Sequence, residues 1–209
     1  MIALDKIDIA ENWITLVLLL LLVSLFFLKK LQASKLEAYL FRLFNKGFVE
    51  SECEENNGFF KLFYWIIFLF SVTVLSLITH RFFDFFLERD TSFIFIFFLL
   101  LLYFLLKWLL EYLLSMVFVI RKEVRFFLVS KKIYLYSISF YLFFCFILLQ
   151  YTSFNVVFLA WSTGILFFLR FSFHIGYNKN LVINKLFYFI LYICTLEIVP
   201  LLILFKLVF

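Results

Sequence analysis

One proline and four glycines in 209 residues leave this chain few places where a helix must break or a tight turn must form. That scarcity excludes a collagen-like, linker-rich or disordered chain. Charge is also sparse: 16% of residues are Asp, Glu, Lys or Arg, against about 25% in water-soluble proteins. A surface facing water needs more charge than this, so a soluble enzyme is excluded as well. The three cysteines, Cys53, Cys145 and Cys194, form no Cys-x-x-Cys pair and suggest neither a disulfide framework nor a zinc site. No zinc-protease helix motif, nucleophile elbow, phosphate-binding loop or dinucleotide fingerprint occurs, so no enzyme activity is expected.

What the chain has in abundance is apolar surface. Hydrophobic residues make up 67% of it, and 36 residues are phenylalanine. A membrane-crossing helix needs about 20 mostly apolar residues. Six runs qualify, at about 12–28, 62–79, 92–120, 133–149, 154–169 and 186–209. None alternates apolar and polar residues as a barrel strand would, and only helices or closed barrels satisfy their backbone groups in lipid. The expected fold is therefore all-α: one membrane domain, a polytopic bundle of about six transmembrane helices. The first run carries Asp5, Asp8 and Glu11 before it and Lys29-Lys30 after it, the wrong polarity for a secretory signal, so it reads as an uncleaved anchor.

Basic residues set the orientation. Lys29, Lys30, Lys35, Arg42, Lys46 and Lys61 lie between the first two runs, five more lie within 121–132, and Arg170, Lys179 and Lys185 precede the last run. The opposite side holds Lys6, Arg81, Arg89 and Lys206. The expected arrangement is an inner (cytoplasmic) membrane protein with both termini on the non-cytoplasmic side. The net charge of +5 then faces anionic lipid headgroups rather than nucleic acid.

Segment 31–58 joins an amphipathic stretch to an acidic linker. Leu36, Tyr39, Leu40, Leu43 and Phe44 recur at helical spacing with Lys35, Arg42 and Lys46 among them. Such a helix fits the membrane interface or a partner protein. Glu50 to Gly58 is acidic and polar and lacks the ligand order of a calcium loop. Arg121–Lys132 reads either as an interfacial segment or as a continuation of the third helix.

Polar residues inside the runs are the candidate sites. Glu197 lies near the middle of the last run, where a carboxylate costs at least about 2.5 kcal/mol. Pro200, three residues on, cannot donate to the Leu196 carbonyl, so an acid stands beside a freed carbonyl. This is a candidate proton or cation site; the alternative is a protonated acid bonded to a neighbouring helix. Lys107 and Glu111 are four apart on one helix face, beside Trp108 and Tyr112, residues typical of an interface. They read as a snorkelling pair or as the lining of a cavity with Glu197. His80 and Asp84 can hydrogen-bond at the outer end of the second run, and Arg170 and His174 flank the inner end of the fifth. The two histidines lie about a membrane thickness apart, so they cannot share a haem. No cofactor and no metal site is expected.

The segment Leu191-Tyr192-Ile193-Cys194-Thr195-Leu196-Glu197-Ile198-Val199-Pro200-Leu201-Leu202, with its Glu-x-x-Pro, resembles the last span of a bacterial domain-of-unknown-function family. Members of that family look like small multi-span inner-membrane proteins of about this length. The resemblance implies a membrane fold and brings no catalytic residue.

Two functions follow as expectations. One is a non-enzymatic subunit, scaffold or assembly factor that associates with other membrane proteins. The other is a small proton- or cation-coupled transporter using the midspan acid of the last helix. The orientation has a direct check. Alkaline phosphatase fused to the C-terminus is expected to be active, and green fluorescent protein fused there dark; the reverse result would invert the topology.

Overall fold

The computed structural model describes residues 5–41, 47, 62–86, 92–117, 121–152 and 156–177, with side chains over most of those spans. Among the described residues the chain is helical throughout. α1 is Asp5–Phe41, α2 Leu62–Phe86, α3 Phe93–Val117, α4 Arg121–Tyr151 and α5 Val156–Tyr177. Four segments are long and apolar enough to cross a membrane: Trp13–Leu40, Leu62–Phe85, Phe93–Glu111 and Val129–Tyr151. A fifth apolar stretch, Val156–Leu169, is shorter. The expected sixth span, 186–209, lies outside the described residues.

α2 is the hub, packing against each of the other four helices. Its buried residues Phe63, Ile67, Phe70, Val74 and Leu77 follow steps of four and three. On α1, Ile14, Leu18, Leu21, Leu25 and Leu28 follow the same steps, four of them buried and Leu25 partly so. This is the spacing that keeps one narrow seam turned toward a neighbour over several turns. The residues between seam positions are equally apolar but face outward: Leu21 is 1% exposed, Leu20 58%. The interlock with α4 is aromatic. The Phe70 ring lies 4.9 Å from Phe140 and 5.5 Å from Phe143 between centroids, in tilted and edge-on arrangements that suit ring quadrupoles.

Hydroxyl groups on the central helices bond along their own backbone. Ser71 donates to Ile67 O, Ser76 to Thr73 O, Thr79 to Leu75 O and Ser139 to Leu135 O, at 2.8 to 2.9 Å. Polar atoms are thereby satisfied without water.

α1 is broken at Gln32, whose φ of −152° and ψ of 79° are extended, not helical. The break comes just after Lys29-Lys30, where the chain leaves its apolar stretch. Beyond it the amphipathic segment, whose Leu43 and Phe44 lie outside the described residues, is helical through Phe41, as its spacing indicates. Its apolar side, however, meets other helices of this chain, whereas the sequence suggested headgroups or a partner protein. Leu36 and Tyr39 are buried, and the Tyr39 ring packs 6.1 Å from Phe63 and 6.2 Å from Tyr136. The last carbonyls of a helix have no partner within it. Here two are capped by α4: Ser137 Oγ donates to Tyr39 O and Tyr141 Oη to Leu40 O, each at 2.7 Å.

The basic stretch Arg121–Lys132 belongs to the fourth helix and does not continue the third. It forms the first turns of α4, which at 31 residues is about 46 Å long and exceeds the hydrocarbon thickness. α4 then ends at Tyr151 with Thr152 N donating to Leu148 O at 3.0 Å, and α5 starts at Val156 and packs back against α4.

The seam makes a sharp prediction about adjacent, chemically identical residues. Leu21→Ala is expected to cost about 3 kcal/mol of unfolding free energy in detergent, as a large-to-small core change. Leu20→Ala should change it by less than about 0.5 kcal/mol. Equal effects in a denaturant titration would place the seam elsewhere.

Candidate intramembrane polar site

Glu111 lies in the last two turns of α3, whose apolar sequence runs on past it, and Lys131 lies two residues into the apolar part of α4. The structure brings them together. Lys131 Nζ lies 3.3 Å from Glu111 Oε1, and both side chains are only 7% exposed. Helical register explains why a lysine faces inward: Lys131, Tyr134, Ile138 and Leu142 share one stripe of α4, and all are buried. Lys132 and Tyr136 are also near enough to sense the Glu111 charge. Lys107, one turn before Glu111, rests over the Tyr103 ring with Nζ 5.6 Å from its centroid. Glu111 thus has a partner on another helix, which its pairing with Lys107 by sequence spacing did not reveal. A buried ion pair of this kind returns in Coulomb energy roughly what it costs in lost hydration. It fixes which helices meet more than it adds to stability.

A second cluster sits at the far end of α2 and α3. His80 Nδ1–H donates to Asp84 Oδ2 at 2.6 Å, one helical turn apart. The imidazole stacks obliquely on Trp13 of α1 at 5.2 Å, and Phe93 of α3 lies 5.1 Å from Trp13 and 6.1 Å from His80. One histidine therefore joins three helices. Arg81 Nη2 donates to Gln150 Oε1 at 2.9 Å and ties α2 to the end of α4. Among the described residues no group of three His, Cys, Asp or Glu side chains is placed to hold a metal ion.

Arg170 and His174 fall in the last turns of α5, with backbone described and side chains outside the described set. Glu197 and Pro200 also lie outside the described residues. Reading the sequence missed Lys131, assigned to a basic flank, and singled out no role for Trp13. The signal for Lys131 was available in its register with Tyr134 and Ile138; Trp13 has no such signal, because its partners come from two other helices.

A family model described as a domain of unknown function, DUF4271, matches residues 14–208, nearly the whole chain. The chain belongs to the DUF4271 family. No curated protein and no solved structure matches it. The DUF4271 match includes Glu111, Lys131, His80, Asp84 and Phe93, and the last run with Glu197 and Pro200; Trp13 lies one residue before it. The helices identify an integral membrane protein, and the family supplies no activity.

The ion pair can be tested as a unit. Glu111→Met or Lys131→Met alone leaves one charge buried and is expected to cost about 3 kcal/mol or more. The double variant should recover most of that loss. If the two single effects simply add in the unfolding titration, the groups do not interact as described.

Proposed function

We propose that this DUF4271 protein is a non-enzymatic subunit or scaffold of a larger membrane complex. The observation that carries the reading is α3. Almost none of its spanning segment is buried against the described helices, and Ile94, Phe95, Phe98, Leu102 and Leu106 face outward. The helix is anchored at its start by Phe93 in the Trp13–His80 cluster and, two turns before its end, by Glu111 on Lys131. Its middle presents a broad aromatic and aliphatic face suited to another helix. Four hydroxyls of α2, those of Ser71, Thr73, Ser76 and Thr79, add support, because each bonds to a carbonyl of its own helix.

The second reading is a small proton- or cation-coupled transporter. The buried Glu111–Lys131 pair favours it, since ionisable groups at membrane depth often mark ion pathways. In this reading Glu197 of the last helix supplies the midspan acid. Neither reading assigns a cofactor.

A photoreactive residue at Phe98 or Leu102 separates the two. In cells, the scaffold reading expects one discrete protein adduct from these positions and none from Phe70 in the seam. Adducts only with lipid, together with proton uptake by proteoliposomes that Glu111→Gln abolishes, would replace it with the transporter.

A further inference from the structure

The break at Gln32 folds the two arms of α1 around an apolar cleft of about 200 Å³. Leu25 and Phe26 line it from the first arm, Leu36 from the second, and Phe140 and Phe144 from α4. Its single charged lining residue is Lys29. Phe26 and Phe144 are 66% and 54% exposed, so the cleft opens sideways, away from the bundle. Both belong to membrane-spanning segments, so the opening faces lipid and not water.

From these observations we infer that the cleft is a binding site for one anionic phospholipid, with part of an acyl chain in the cleft and the phosphate against Lys29. The lining excludes water as the occupant, because a stable water needs two to four polar partners. An empty cleft would forfeit dispersion contacts along its walls, which an acyl chain restores. Lys29 sets the headgroup. It follows directly on the apolar stretch ending at Leu28, at the depth where lysines reach toward phosphates. Lys30 beside it is exposed and adds positive charge. Lys35, on the other arm, is turned elsewhere: its Nζ lies 3.4 Å from Tyr64 Oη and 5.8 Å from that ring's centroid. The cation presented to the cleft is thus Lys29. An ammonium meeting a phosphate makes a charge-assisted hydrogen bond, and a headgroup without its own compensating cation is preferred.

The site goes beyond a scaffold role, because it couples the bend of α1 to the lipid beside it. The bound chain fills the space between the two arms, and the second arm is the one whose terminal carbonyls Ser137 and Tyr141 hold.

Native mass spectrometry of the full chain in mild detergent tests this, with phosphatidylglycerol or phosphatidylcholine of matched acyl chains. The wild type is expected to retain one phosphatidylglycerol and to prefer it about fivefold, the worth of one lysine beside an anionic surface. Lys29→Gln should abolish the preference, and Leu25→Trp, which fills the cleft, should abolish retention. A preference unchanged in Lys29→Gln, or retention unchanged in Leu25→Trp, overturns the assignment. So does a lipid-free dimer that Leu25→Trp dissociates, which would make a second copy the occupant. Should Leu25→Trp fail to fold, phosphatidylglycerol with a photoreactive acyl chain is applied to the wild type. Labelling at Leu36, Phe140 or Phe144 supports the site; labelling confined to other helices refutes it.

Discussion

Phe70 interlocks with Phe140 and Phe143, and the placement of the other helices depends on this contact between α2 and α4. In hydrocarbon a leucine gains little by touching another leucine in place of a lipid tail, so helix association rests on fit and on polar contacts. The α2–α4 seam supplies the fit, with rings in arrangements that a lipid chain cannot imitate. α1 joins through its own four-and-three stripe, and α5 through Leu159 and its hairpin with α4. Of the four long spans that of α3 is the least buried, and this helix is held by polar anchors as well as by packing.

Those anchors divide the bundle into two ends. At one, His80 gathers Trp13 and Phe93 around its bond to Asp84. At the other, Glu111 meets Lys131, and the hydroxyls of Ser137 and Tyr141 cap the end of α1. Polar contacts thus occur toward the ends of α2 and α3 and, at Ser137 and Tyr141, inside the span of α4, and non-directional packing fills the rest.

Four of the spans were legible in the sequence, because length and apolarity alone decide them. The seams were not. Leu18 is buried and Leu19 exposed, yet in lipid both sides of a helix favour leucine, so no contrast in polarity marks the inner face. The amphipathic stretch after Lys35 shows the same limit in another form. Its apolar residues announced a covered face, but only the fold says that the cover is Phe63 and Tyr136. Lys131 was hidden by its neighbours, since a basic residue beside Arg125 and Lys132 looks like an ordinary flank. Glu197 and Pro200, the strongest signal in the sequence, lie outside the described residues, so the fold leaves that candidate site where the sequence put it.

The hydroxyls of α2 that bond back to their own carbonyls also matter to the order of synthesis. Phe70 leaves the ribosome 70 residues before Phe140. At about 5–20 residues per second, α2 waits for its principal partner for about 4–14 s. During that interval its inner face lies against lipid. Ser71, Thr73, Ser76 and Thr79 are nonetheless already satisfied, because each uses a carbonyl three or four residues back in the same helix. These four hydroxyls are therefore self-contained, and the middle of the helix can be stored in the bilayer until α4 is made, with Arg81 then meeting Gln150 at its end.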